Sequence, residues 1–260
     1  MNNKIVWITG ASSGIGEALV YAYNALGAKL IISSRNTNQL LKVKAACKNP
    51  HHVNIVPLDL EDVDSLPRKT EEAIQIYGTI DMLIHSGGIS QRSLAMETKF
   101  TTEQRLMNIN FWGTVILSKA ILPLMLAKNS GHIVCISSLV GKFGTPLRSA
   151  YSASKHALHG YFDSLRAELP ESINISIICP GFIKTNVTIN ALVADGSAQG
   201  TMDEAQENGM LPSICAQKII KVLQNKKHEA YIGGKETLGV LLKRLLPRLF
   251  ARIIRKAKVV

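Results

Sequence analysis

The chain has 260 residues, 46% of them hydrophobic and 19% charged, with a formal net charge of +11. That length suits one α/β domain with a large core, and the many periodic apolar runs exclude bulk disorder. The charge is uneven: from Lys235 onward, eight basic residues (Lys235, Lys243, Arg244, Arg248, Arg252, Arg255, Lys256 and Lys258) face one acid, Glu236. The basic character therefore belongs mainly to a tail. Four scattered cysteines (Cys47, Cys135, Cys179, Cys215) form no C-x-x-C pair. This argues against a disulfide framework or a zinc ribbon and predicts reduced, buried thiols in a cytoplasmic protein. No run of about 18 residues lacks charge, so no membrane-spanning helix is expected. The first strand-like run begins at Lys4, which leaves no room for a signal peptide.

In chain order, Lys4–Thr9 predicts a strand, Gly14–Leu26 a helix and Ala28–Ser33 a strand. Thr37–Cys47 predicts a helix, Val53–Leu58 a strand, Asp62–Tyr77 a helix and Met82–His85 a strand. A long helix (Thr102–Ala127), a strand (His132–Ser137), a helix (Ala150–Leu169) and a strand (Ile173–Cys179) follow. A polar, glycine-containing stretch, Phe182–Leu211, precedes a helix at Ser213–Gln224 and a short strand at Ala230–Ile232. Alternation of this length predicts βαβ units. The expected fold is a single-domain, Rossmann-like, doubly wound parallel sheet with helices on both faces. The domain is expected over residues 1–234, with the tail at 235–260.

The first strand runs into Gly10-Ala11-Ser12-Ser13-Gly14-Ile15-Gly16 and a helix. Glycines let backbone N–H groups approach a pyrophosphate, and the helix N-terminus faces its charge. The spacing is G-x-x-x-G-x-G and lacks a P-loop lysine. Further on stand Ser138, Tyr151-Ser152-Ala153-Ser154-Lys155 and Pro180-Gly181. Together these motifs resemble the short-chain dehydrogenase/reductase family from Lys4 to about Gly234. Gly-Gly-Ile-Ser-Gln-Arg-Ser-Leu, the stretch from Asn190 to Gly196 and the basic apolar end are similar to its member-seven branch. That branch is associated with membranes and with lipid-like carbonyls.

Tyr151 and Lys155 are four apart, hence on one helix face. A tyrosine has a pKa of about 10, and a nearby ammonium favours its phenolate. The resemblance implies Tyr151 as acid/base, Ser138 as orienter of the substrate oxygen and Lys155 as tuner and ribose anchor. It implies that Asn110 kinks the long helix locally and holds a relay water. It also implies cofactor contacts at Gly10, Ser12, Ser13, Gly14, Ile15, Gly16, Asp59, Leu60, Gly88, Pro180, Gly181, Ile183 and Thr185, in addition to Tyr151 and Lys155. Asp59 would receive the adenine amino group; the backbone at Ile183 and Thr185 would hold the nicotinamide carboxamide. The second strand ends without an acid and is followed by Arg35, whose forked cation suits a 2′-phosphate. NADP(H) is therefore the expected cofactor, with NAD(H) as the alternative.

His85-Ser86-Gly87-Gly88 replaces the family's N-N-A-G, so the inter-strand tie made by that asparagine is in doubt. The histidines show no ligand spacing completed by acids or thiols, and no metal site is expected. Residues 185–211 are expected to form a mobile substrate lid, and Gln91 to contact substrate beside Ser138 and Tyr151. The tail alternates apolar and basic pairs, giving one apolar and one basic helical face that Pro247 should divide. Such a helix can lie on an anionic membrane, cover the cleft or pack on another subunit. The basic residues lack interleaved aromatics, so nucleic acid is not an expected partner. The expected protein is an oxidoreductase interconverting a bulky apolar ketone or aldehyde and its alcohol, with a homo-oligomer implied by the family. The alternatives are a cofactor-binding scaffold without turnover and a peripheral membrane protein acting through its tail.

Overall fold

The computed structural model describes residues 2–257 of the chain. Lys258, counted among the basic tail residues, lies outside them. The elements are β1 (Ile5–Thr9), α1 (Gly14–Ala25), β2 (Lys29–Ser33), α2 (Thr37–Ala45), β3 (Val53–Ile55), α3 (Leu66–Tyr77) and β4 (Met82–His85). Then come α4 (Phe100–Met107), a π turn (Asn108–Trp112), α5 (Gly113–Ala127), β5 (Gly131–Ile136), α6 (Ser149–Glu168) and β6 (Ile173–Pro180). The chain continues through α7 (Glu204–Glu207), α8 (Pro212–Gln224), β7 (Glu229–Ile232), α9 (Leu238–Leu245) and α10 (Pro247–Ile254). The predicted third strand was too long, and α7 had no periodic signal because it is a single turn.

The seven strands form one sheet in the order β3-β2-β1-β4-β5-β6-β7, and the paired strands are parallel. Strand residues alternate between two cores. Trp7, Ile31 and Leu83 pack with α3, α5 and α6 side chains such as Ala73, Leu117 and Phe162. Val6, Ile8, Leu30 and Ile32 pack with α1, α2 and α8 side chains such as Leu19, Leu40 and Ile219. Burial on both faces is why the strands read as almost unbroken apolar runs.

α4, the π turn and α5 run on as one helical rod, Phe100–Ala127, long and apolar enough by composition to cross a membrane, contrary to expectation. Here many of its apolar side chains, including Leu117, Ile121 and Met125, are core against the sheet. The four cysteines are buried and unpaired. Strand order reverses between β2-β1 and β1-β4, and a crevice opens there at the carboxyl ends of the strands.

Candidate active site

Because the strands are parallel, the loops that leave them share one edge. The residues immediately after β1, β2, β4, β5 and β6 (Gly10, Ser34, Ser86, Ser137 and Gly181) all line one cleft of about 1140 Å³. Ser12, Ser13, Gly14, Ile15, Arg35, Asp59, Leu60, Gly88, Ser138, Tyr151, Lys155, Pro180, Ile183 and Thr185 line it too. Gly16 lies behind that wall, packed on the Gly10 carbonyl.

The glycine loop is shaped by close backbone approach. Gly10 has φ +65°, and a Cβ there would stand 2.5 Å from Gly87 Cα. Gly14 has φ +59°, and its Cβ would stand 2.9 Å from Thr185 Cγ2. Backbone therefore faces backbone across the crevice floor. α1 begins after Ser13, whose side chain makes no capping bond, so first-turn N–H groups remain available to an anion. These residues fit a dinucleotide pyrophosphate. Arg35 and Asp59 stand at the rim, Nε to Oδ1 4.0 Å apart and both exposed. An exposed pair of this kind is weak, about 0–1 kcal/mol, and leaves Arg35 free to turn to a phosphate.

The other groups meet where α6 passes the end of β5. Ser138 opens a 3₁₀ turn and its Oγ accepts from Val140 N–H at 3.3 Å. Lys155 Nζ lies 5.9 Å from the Tyr151 ring centroid and donates to the Ile136 carbonyl at 3.0 Å. A Cβ on Gly88 would meet Asn110 Oδ1 at 3.0 Å and Lys155 Nζ at 3.5 Å. The β4 loop, the π turn and α6 thus converge on one point.

Asn110 sits in the π turn, the local helix distortion that the resemblance implied. Its side chain does not face the cleft. Oδ1 accepts from Ile89 N–H at 2.8 Å, while Nδ2 donates to Ile89 O at 2.9 Å and to Ser154 Oγ at 3.0 Å. The side chain clamps the β4 loop to α6, and a relay water would need another of its atoms.

Gln91 is a correction. Expected against substrate, it is fully buried and absent from the cleft wall. Its Oε1 accepts from Ala150 N–H at 2.9 Å and from Tyr151 N–H at 3.1 Å. It satisfies the free donors at the start of α6 and so fixes the helix that carries Tyr151. A second correction concerns the lid. The Ile183 carbonyl, assigned by resemblance to a carboxamide contact, accepts from Gln206 Nε2.

Several contributors gave no sequence signal because their partners are distant in the chain. Arg92 Nε and Nη2 donate to Asp203 Oδ2 at 2.9 and 2.5 Å, in a pair almost wholly buried. Gln199 Nε2 donates to the other carboxylate oxygen at 2.9 Å. This ties the 185–211 segment to the β4 loop, which it also meets through Leu192 N–H to Ser90 O at 2.9 Å. At the far end, Phe143, Gly239, Leu242, Phe250, Ile253 and Ile254 form an apolar wall. The tail is divided at Pro247, and Phe250 is buried on Phe143 with ring centroids 5.1 Å apart. Of the three expected uses of the tail, covering the cleft is the one seen.

His85 does not reproduce an asparagine tie. Its Nε2 is 2.8 Å from Ser118 Oγ, whose proton goes to the Thr114 carbonyl at 2.8 Å, so Nε2 is the donor. Complete burial lowers its pKa to about 3 and keeps it neutral. His159, given no ligand role, stands with Cys179 and Glu229, their potential ligand atoms within 4.8 Å of one another. Lys142 Nζ is 2.6 Å and His159 Nδ1 3.1 Å from Glu229 Oε2. Ser137 Oγ and Cys179 Sγ lie 3.2 and 3.6 Å from His159 Nε2. Burial alone would raise the Glu229 carboxyl, but bonds from His159, Lys142 and Tyr231 outweigh it and hold it near 2.

A parallel α/β sheet with a glycine loop at its switch point and Ser138, Tyr151 and Lys155 around the adjoining cleft defines a dinucleotide-fold oxidoreductase. The chain belongs to the short chain dehydrogenase family, whose model matches residues 4–194. It is 39% identical to Dehydrogenase/reductase SDR family protein 7-like of Anopheles gambiae over 98% of this chain and 83% of that protein. Its fold is similar to a short chain dehydrogenase/reductase from Burkholderia phymatum in complex with NAD, with TM-score 0.84, 21% identity and 95% of each chain covered. It is also similar to an alcohol dehydrogenase from Thermococcus sibiricus complexed with 5-hydroxy-NADP, with TM-score 0.77, 21% identity and 90% of this chain and 97% of that one covered.

Proposed function

We propose that the protein interconverts a bulky apolar ketone or aldehyde and its alcohol with NADP(H). The carrying observation is that Ser138, Tyr151 and Lys155 open into the same cleft as the glycine loop and the apolar wall of Phe143, Leu242 and Phe250. When bound, a nicotinamide dinucleotide supplies or accepts the hydride. In reduction, the Tyr151 hydroxyl gives its proton to the substrate oxygen; in oxidation, it takes that proton back. Ser138 donates a hydrogen bond to the same oxygen. The Lys155 ammonium favours the phenolate form of Tyr151. The glycine loop and the start of α1 would hold the pyrophosphate, and Arg35 the 2′-phosphate. We expect reduction in cells, where cytoplasmic NADPH is held reduced. An extract that accumulates the ketone on expression would oppose that direction.

We further infer a cytoplasmic homo-oligomer joined through α4–α5 and α6, whose outward side carries the exposed Trp112 beside Phe111 and Tyr161. Sedimentation velocity showing only monomer would remove that reading. The function itself is tested by titrating purified protein with NADPH and NADH, then following nicotinamide absorbance with a panel of bulky apolar carbonyls. NADPH-selective binding and turnover lost in Tyr151→Phe is the expected result. NADPH binding without turnover on any carbonyl would favour a cofactor-binding scaffold.

A further inference from the structure

The tail carries more apolar surface than the domain covers. Phe250 is buried, and Val240, Leu242 and Ile254 are partly buried against the core under α6. Lys243 Nζ pins α9 to the body through the Lys142 carbonyl at 2.8 Å. Leu238, Leu241, Leu245, Leu246, Leu249 and Ile253 are left outside, between 44% and 65% exposed. Six cations, Lys243, Arg244, Arg248, Arg252, Arg255 and Lys256, are interspersed, and no acid occurs from Leu238 to Ala257. A contiguous exposed apolar patch of this kind marks an interaction surface.

We propose that the outward face of α9 and α10 docks on an anionic lipid bilayer, with the leucines entering the interface and the cations on headgroup phosphates and carboxylates. Charge complementarity selects this occupant. A second copy would set six cations against six, and a nucleic acid would leave the leucines in water. A bilayer satisfies both sets at once. The docked face adjoins the cleft, because Ile253 is exposed and also lines it. Resting on the reading of that cleft as a substrate site, this geometry points to carbonyl or alcohol substrates that enter from the membrane.

The test is flotation of the full chain with phosphatidylcholine vesicles, with and without phosphatidylserine, and it involves no turnover. Vesicle binding can therefore succeed where the oxidoreductase reading fails, and the reverse. The expected result is binding at least about tenfold tighter to the anionic vesicles, weakened by salt through charge screening. Leu245→Glu/Leu249→Glu should abolish it while circular dichroism and melting temperature stay unchanged. If that variant does not fold, Arg248→Gln/Arg252→Gln should still weaken binding to anionic vesicles. Absence of flotation with either vesicle overturns the proposal. So does flotation that a folded leucine variant retains, or a leucine-dependent dimer with no vesicle binding.

Discussion

The two halves of the cleft are built differently. The nucleotide half is backbone: Gly10 against Gly87, Gly14 against Thr185, and an uncapped helix start. Its contacts are short-range and depend on missing side chains, so it suits a ligand whose phosphates and rings do not vary. The substrate half is side chains from three distant segments. The β4 loop, the 185–211 segment and the tail are joined by one buried ion pair and an aromatic contact. Such a wall can change with little effect on the sheet beneath it. Variants should therefore separate cofactor binding from substrate handling.

The largest effect is expected at the junction. Tyr151→Phe should lower turnover about 10²–10⁴-fold and leave NADPH affinity nearly unchanged by fluorescence titration. Parallel loss of cofactor binding would erase the division between the halves. In the substrate half, Asp203→Ala would leave Arg92 buried and unpaired, a cost of about 3–5 kcal/mol. Denaturant melts should show that loss, with a KM increase larger than any change in NADPH affinity.

Gln91→Ala sharpens the comparison, because it removes a tether behind both halves. It strands the Ala150 and Tyr151 donors, at about 1–3 kcal/mol. Turnover should fall while KM hardly moves; a change in KM alone would restore Gln91 as a substrate contact. Arg35→Ala should act on the nucleotide half only, weakening NADPH by about tenfold, as expected for one charge-assisted contact, and leaving NADH unchanged. Equal loss for both cofactors would make Arg35 a general rim charge.

Acid should act on neither half but on the sheet below. His85 is lowered to about 3 by burial, and His132 to about 4 by burial and then Lys226. Unfolding lets both take protons near their ordinary value of 6.5. Their contribution is present above that pH and is lost as pH falls towards 4 and 3. Glu229, held near 2 against an ordinary 4.5, adds a further loss below 4.5. Melting temperature should decline from about pH 6.5 downward, and His85→Asn should flatten the first part of that decline.

Much of this was legible in the residues. The strand–helix alternation, the glycine loop and the Tyr151–Lys155 spacing are local patterns set by helix period, strand burial and backbone freedom. Gln91 was misread because a buried polar residue in a loop looks like a pocket residue until its partners, Ala150 and Tyr151, are in place. Asp203 looked like a lid charge for the same reason. By itself the sequence determined a parallel α/β oxidoreductase fold, its phosphate loop and its reacting side chains, because short-range periodicity and residue chemistry suffice for those. Only the tertiary structure decided that the basic tail walls the cleft, that Gln91 anchors the catalytic helix and that His159, Cys179 and Glu229 meet. Each of those depends on contacts between segments far apart in the chain, whose pairing is set by packing of the whole core.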